Sequence, residues 1–140
     1  GASAPVGCLR LMEKPLPDEE IRQELKKYWR NVRLAPDSVL VGVGGTATTL
    51  GAIFLKMEKY DADALLQCIM KRSDVRTILD ELEAMSMSER RKLPGMLPGR
   101  EDVMPYGLII LLNVMDIYDI SELRICDRDL MYGILLDKYK

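Results

Sequence analysis

Apolar positions recur along this chain with two periods, and each period predicts a different element. Ile21, Leu25, Tyr28, Trp29 and Val32 follow one another at i, i+4, i+7, i+8 and i+11, the spacing of one helix face. Asp18 precedes them as an N-cap, with Glu19 and Glu20 in the favoured first turn, and Pro36 ends the helix. Ser38 to Val43 is β-branched and almost continuously apolar, as in a strand buried on both faces of a parallel sheet. Gly44-Gly45-Thr46 then turns into a helix from Ala47 to about Met57. Val75, Ile78, Leu79 and Leu82 form the face of another helix, for which Ser73 is the expected cap. Ser86-Met87-Ser88-Glu89 is a capping box opening a short basic helix, Arg90-Arg91-Lys92.

The remaining elements are read the same way. Pro5 to Leu11 reads as a short leading strand closed by Pro15-Leu16-Pro17. Tyr60 to Asp63 reads as a loop, and Leu66 to Met70 as a short strand. Pro94 to Gly99 is a rigid loop with two turn signals. A long helix runs from about Arg100 to Tyr118, apolar nearly all round from Val103 to Met115, and so should be central. Pro105 lies in its first or second turn, where proline costs least. Glu122 to Cys126 is a second core strand, and Asp127 caps a final helix ending near Lys138. Strands alternate with helices, so the class is α/β with a partly parallel sheet, in a single domain over residues 1–140.

Composition narrows the chemistry. The 140 residues carry 20 basic and 22 acidic side chains, a net charge of −2, which is not the footprint of a general nucleic-acid binder. A polyanion would have to meet a local cluster of Lys and Arg. There is no histidine, which removes His-ligated zinc, Ser-His or Cys-His nucleophiles and histidine proton relays. Cys8, Cys68 and Cys126 are far apart and never in a C-x-x-C pair, which fits core thiols in a reduced, cytoplasmic compartment. The longest apolar run, Gly107 to Leu112, is far short of the ~18 residues of a membrane span. Gly1-Ala2-Ser3 fits a cloning scar.

Several residues have two readings on sequence grounds. Gly44-Gly45-Thr46, between a strand and a helix, suits either close backbone approach to a ligand or a tight turn needing positive φ. Among Thr46, Thr48 and Thr49, helix capping by Thr46 is preferred over catalysis. Arg100 at a helix start opposes the macrodipole and so asks for a partner: phosphate oxygens, a guanine edge, or an acid such as Glu101 or Asp102. Arg90-Arg91-Lys92 is a solvated face or a basic rim. Asp127 is a helix cap before it is a base.

Three ordered segments carry a family resemblance. Val41-Gly42-Val43-Gly44-Gly45-Thr46-Ala47-Thr48-Thr49-Leu50, then Leu93 to Val103 (L-P-G-M-L-P-G-R-E-D-V), then Leu123-Arg124-Ile125-Cys126-Asp127-Arg128 resemble the second domain of the exopolyphosphatase/guanosine-pentaphosphate phosphatase (Ppx/GppA) family. Val6 to Leu11 also resembles the strand after that family's second phosphate loop. The resemblance implies a ribonuclease-H-like α/β domain of the actin, Hsp70 and sugar-kinase superfamily, facing a partner domain across a cleft. It implies hydrolysis of the terminal phosphoanhydride of inorganic polyphosphate or guanosine pentaphosphate, assisted by Mg2+. The family's D-x-G-G-G-S phosphate loop is not in this sequence, so the chain is expected to begin inside the second domain, truncated at its N-terminal strands. No catalytic residue and no metal ligand is then expected here. The family's N-terminal domain is the missing partner, and the isolated fragment should be inactive. Gly44, Gly45, Thr46 and Arg100 are the substrate-binding residues the resemblance implies. After Asp127-Arg128 the family continues Gly-Leu-Arg-Glu-Gly, whereas here the residues are Asp129-Leu130-Met131-Tyr132-Gly133, without the Arg-Glu pair. That departure keeps a second reading open, a non-catalytic nucleotide- or protein-binding module of the same fold, with a sugar- or acetate-kinase domain as a third. An unpaired sheet edge would favour a homodimer.

Overall fold

The computed structural model describes residues 8–29, 34 and 39–126. In chain order the elements are α1 (Cys8–Glu13), α2 (Asp18–Trp29), β1 (Leu40–Val43), α3 (Gly45–Phe54), α4 (Ala62–Leu66), β2 (Ile69–Lys71), α5 (Arg72–Ala84), α6 (Met87–Arg91), α7 (Met104–Ile117) and β3 (Glu122–Cys126). The sheet has the order β1-β3-β2. β1 runs parallel to β3 in a register that sets Leu40 against Leu123 and Val43 against Cys126, while β2 is antiparallel with Met70 against Leu123. The two parallel strands therefore end side by side, and the Gly44-Gly45 turn leaves from that edge.

α7 organises the packing. Its apolar side chains point in every direction, so both of its sides are covered. On one side Met104, Leu108, Leu112 and Met115 join Leu50 and Ile53 of α3, Leu79 and Leu82 of α5, and Leu123 and Ile125 of β3. On the other, Ile109, Ile110, Val114 and Ile117 pack on Leu11 of α1 and Ile21 and Leu25 of α2. Gly51 lets α3 press onto its neighbours, since a Cβ there would stand 2.6 Å from a Leu65 methyl and 3.2 Å from Ile125. Burying roughly ten large aliphatic side chains in this way is worth ~1.5–3 kcal/mol each before conformational entropy is subtracted.

One buried polar residue interrupts the apolar helix. Asn113 is 2% exposed, yet each side-chain function is used. Its Oδ1 accepts from Arg22 Nε at 2.8 Å, and its Nδ2 donates to Ile109 O at 2.8 Å and Asp18 Oδ1 at 3.3 Å. Asp116, one turn on, accepts from Arg22 at 3.1 Å and from Arg72 at 2.9 Å. This network fastens α2 and the start of α5 to α7.

Several expectations are corrected. The stretch read as a leading strand is helical from Cys8 to Glu13, and residues 5–7 lie outside the described residues. Leu9-Arg10-Leu11-Met12-Glu13 are good helix formers, and Leu11 finds its burial against α2 and α7, not in a sheet. The strand that located the start of the chain within the family's domain is therefore not seen. Tyr60 to Asp63 is a loop only to Asp61, which caps α4 by accepting from the amides of Asp63 and Ala64. The strand expected from Leu66 starts at Ile69 because Leu66 still belongs to α4. α5 begins at Arg72, ahead of Ser73; its N-cap is Lys71, whose amide donates to Asp74 Oδ2 at 2.9 Å. The Ser86–Glu89 capping box forms as expected, and the Ser86 amide and hydroxyl hold the Glu89 carboxyl below its usual range. Cys68 and Cys126 are buried free thiols, and burial followed by the charge of Asp74 pushes the Cys68 thiol up. Asp127, Arg128 and the expected final helix lie outside the described residues.

Asn113→Ala should destabilise the chain by about 1–3 kcal/mol in urea unfolding, because Asp18 and Arg22 each lose a partner as a cavity opens. An unchanged midpoint would mean that the network holds nothing.

Candidate functional site

The turn after β1 is built by two glycines with different duties. Gly44 has φ 94° and ψ 179°, a backbone that residues with a Cβ rarely adopt, and it is the N-cap of α3 with no side-chain cap. The first amides of α3 therefore have no intrahelical acceptor. Gly45 needs its missing Cβ for space: a Cβ there would fall inside the Arg100 guanidinium. Arg100 thus lies flat against the first residue of α3.

The three threonines after Gly45 differ in what their hydroxyls meet. Thr46 was expected to cap the helix. Instead its hydroxyl stands 3.4 Å from Arg100 Nη1, which donates to it, and its methyl faces Gly107 of α7, where a Cβ would come within 2.6 Å. Thr48 ties the turn to itself, donating to Gly44 O at 3.1 Å. Thr49 is fully buried, and its hydroxyl has no partner among the described residues.

Arg100 is not the first residue of a helix. α7 starts at Met104, with residues 101–103 forming turns, and the Met104 amide reaches back to Arg100 O at 3.1 Å. The extension of the helix to residue 100 is corrected by this turn: Gly99, at φ 86°, reverses the chain just before it. The electrostatic question raised by Arg100 is moved from one helix to another. Its guanidinium sits at the N-terminus of α3, where a cation opposes the helix dipole. The acids that might have answered it are not used. Glu101 turns to Arg91, with Oε1 at 3.0 Å from Nε, and among the described residues Arg100 makes no ion pair.

Gly44, Gly45, Thr46 and Arg100 are therefore brought together at the carboxyl end of the parallel strands, where α/β folds place ligands. Two segments supply them, the β1–α3 turn and the α6–α7 loop, and α7 backs the turn through Gly107. What the sequence did not show is the service of the basic run. Arg90 is half-buried and donates to Leu82 O at 2.8 Å and Glu101 O at 3.1 Å, so it joins α5 to the Arg100 loop and is no solvated rim charge. Pro94-Gly95 seats the same loop on α3, where a Cβ at Gly95 (φ 92°) would strike the Ala52 carbonyl. Among the described residues no group of three or more acids or thiols could hold a metal, and no helix is long and apolar enough to cross a membrane.

Two glycine variants separate the duties of this turn. Gly45→Ala should leave thermal stability within about 4 °C of wild type, because the flexible guanidinium can swing aside. Gly107→Ala should cost about 1–3 kcal/mol, because the stiff Thr46 side chain and the buried helix cannot. Equal losses in thermal unfolding would contradict this division.

Comparison with known proteins gives the arrangement its family. The model of the Ppx/GppA phosphatase family matches residues 1–140. Exopolyphosphatase 2 of Mycobacterium tuberculosis is 30% identical over 150 aligned positions, covering 96% of this chain and 47% of that protein. The chain thus spans about half the length of the curated relatives it matches. Among solved structures, the Aquifex aeolicus PPX-GPPA enzyme superposes with a TM-score of 0.78 at 24% identity, covering 95% of this chain and 47% of that one. An exopolyphosphatase from Cytophaga hutchinsonii superposes at 0.68 with 17% identity, covering 94% and 46%. The fold is that of these structures, the ribonuclease-H-like α/β class, here with a small sheet and as a partial domain. Because the family model spans the whole of it, this chain belongs to the Ppx/GppA phosphatase family.

Proposed function

We propose that this chain forms one wall of the substrate cleft of a phosphoanhydride hydrolase, and that its Arg100 and the N-terminus of α3 hold phosphate oxygens of inorganic polyphosphate or guanosine pentaphosphate. One observation carries the reading: Arg100 lies over Gly45 at a helix N-terminus with no acid paired to it among the described residues. A guanidinium and a helix N-terminus repel each other weakly, and both are satisfied by an anion placed between or beside them. A guanidinium also offers paired donors suited to phosphate oxygens. Gly44 leaves the approach clear, since nothing lies within 4 Å of where its Cβ would be.

Within this reading each residue has a defined task. The free amides at the start of α3 and the Arg100 guanidinium bind and orient phosphates, and they neutralise charge that the transfer reaction would otherwise concentrate. Thr46 fixes the guanidinium from below. The attacking water and the base that positions it belong to the other half of the cleft, and Mg2+, when bound, would help neutralise the phosphate charge. The described residues offer no cluster of three or more acids or thiols that could hold that ion.

Calorimetry with inorganic tripolyphosphate tests the reading. The wild-type chain should bind, and Arg100→Gln should bind at least about tenfold more weakly, the loss of one charged hydrogen-bonding partner. The chain alone, with Mg2+, should release no phosphate from polyphosphate. Equal binding by wild type and Arg100→Gln would remove Arg100 from the site, and turnover by the chain alone would overturn the cleft-wall role.

A further inference from the structure

The residue after Arg100 is held more firmly than Arg100 itself. Glu101 receives three hydrogen bonds from two segments. Its carboxylate accepts from the Gly99 amide at 2.9 Å and from Arg91 Nε at 3.0 Å, and its backbone carbonyl accepts from Arg90 Nη1 at 3.1 Å. Arg90 is in turn anchored, through Nε, to Leu82 O at 2.8 Å in the last turn of α5. α6, which carries both arginines, is fixed at its start by the Ser86–Glu89 capping box. None of these bonds reaches Gly45 or Thr46. They pin the backbone on both sides of Arg100 and leave the guanidinium only its own torsions to settle.

We infer that Glu101 is a positioning residue for Arg100: by bridging the Gly99 amide to Arg91 it sets the loop so that the guanidinium lies over Gly45. This rests on the binding role proposed for Arg100. Exposure agrees with a bracing duty, since the Glu101 side chain is 14% exposed against 63% for its partner Arg91. The carboxyl is held below its usual range by backbone amides, its own first, and by Arg91, so it remains a charged acceptor at neutral pH. An arginine side chain has about four free torsions and about 2 kcal/mol of rotamer entropy, so a loop that presents it ready-aimed strengthens binding with no added contact to the ligand.

The test uses the whole 140-residue chain with 15N-labelled arginine and two readouts. The first is the Arg100 Nε–H resonance, assigned by its absence in Arg100→Lys, in the chain without ligand. The second is tripolyphosphate affinity. Glu101→Ala should move the Arg100 resonance to the position of freely solvated arginines and weaken binding about tenfold. Glu101→Gln, which keeps an acceptor for the Gly99 amide, should fall between Glu101→Ala and wild type. Arg100→Gln combined with Glu101→Ala should bind no more weakly than Arg100→Gln alone, because the brace acts only through the arginine. If Glu101→Ala lowers thermal stability yet leaves the resonance and the affinity unchanged, Glu101 is structural and the inference fails. Additive losses in the double variant also overturn it. If the wild-type chain does not bind tripolyphosphate, the binding role of Arg100 fails, and the Arg100 resonance in Glu101→Ala and Glu101→Gln still decides whether Glu101 aims it.

Discussion

A helix with no polar face has to be covered on every side, and most of this fold is the covering of α7. Residues 104–117 present apolar side chains to two separate clusters. α3, α5 and the sheet close one side; α1 and α2 close the other. The single buried amide, Asn113, is tolerated because Arg22, Asp18 and a backbone carbonyl satisfy it. The site inherits its geometry from the same constraint. Gly107 allows α3 to reach α7 through Thr46, so the N-termini of the two helices come together. The loop entering α7 passes this meeting point and lays Arg100 over Gly45.

The charge arrangement at that meeting point is unusual for a purely structural contact. Four described arginines are answered: Arg22 and Arg72 by Asp116, Arg91 by Glu101, Arg90 by two carbonyls. Arg100 has a hydroxyl at 3.4 Å and a helix N-terminus beneath it. A neutral hydroxyl offers a guanidinium less than a carboxylate does. Three bonds therefore brace the loop of a cation whose own charge has no carboxylate partner among the described residues, and the proposed anion site rests on that contrast.

Much of this could be read from the residues in order. The strands at 40–43 and 122–126, the amphipathic α2 and α5 and the all-apolar α7 follow from periodicity, and the Ser86 box from local hydrogen-bonding chemistry. Gly44, Gly45, Thr46 and Arg100, singled out in the sequence, lie together in the fold. The failures have local causes. A six-residue element such as α1 has too few turns to show a period, and the burial of its Leu11 against α2 and α7 is a tertiary fact. Asp61 before Ala62-Asp63-Ala64 was a capping signal hidden among loop-forming residues. Arg100 reads as part of α7 because the turns over residues 101–103 that separate the two leave no mark in composition. Gly45 reads as ligand approach or a tight turn, while in the fold it leaves room for a side chain 55 positions away. Arg90 and Arg91 read as surface charge because their acceptors, Leu82 O and Glu101, meet them only in the folded chain.

The central claim is that the β1–α3 turn and Arg100 together form a phosphate-binding surface. The most direct measurement is the amide spectrum of the chain during titration with inorganic tripolyphosphate. The account predicts the largest shifts at the amides of Gly45, Thr46 and Ala47, which α3 leaves without acceptors, with smaller shifts along the Arg100 loop. Shifts centred elsewhere, for example on the exposed basic stretch Lys71-Arg72-Ser73 at the start of α5, with the Gly45 and Thr46 amides unmoved, would contradict it.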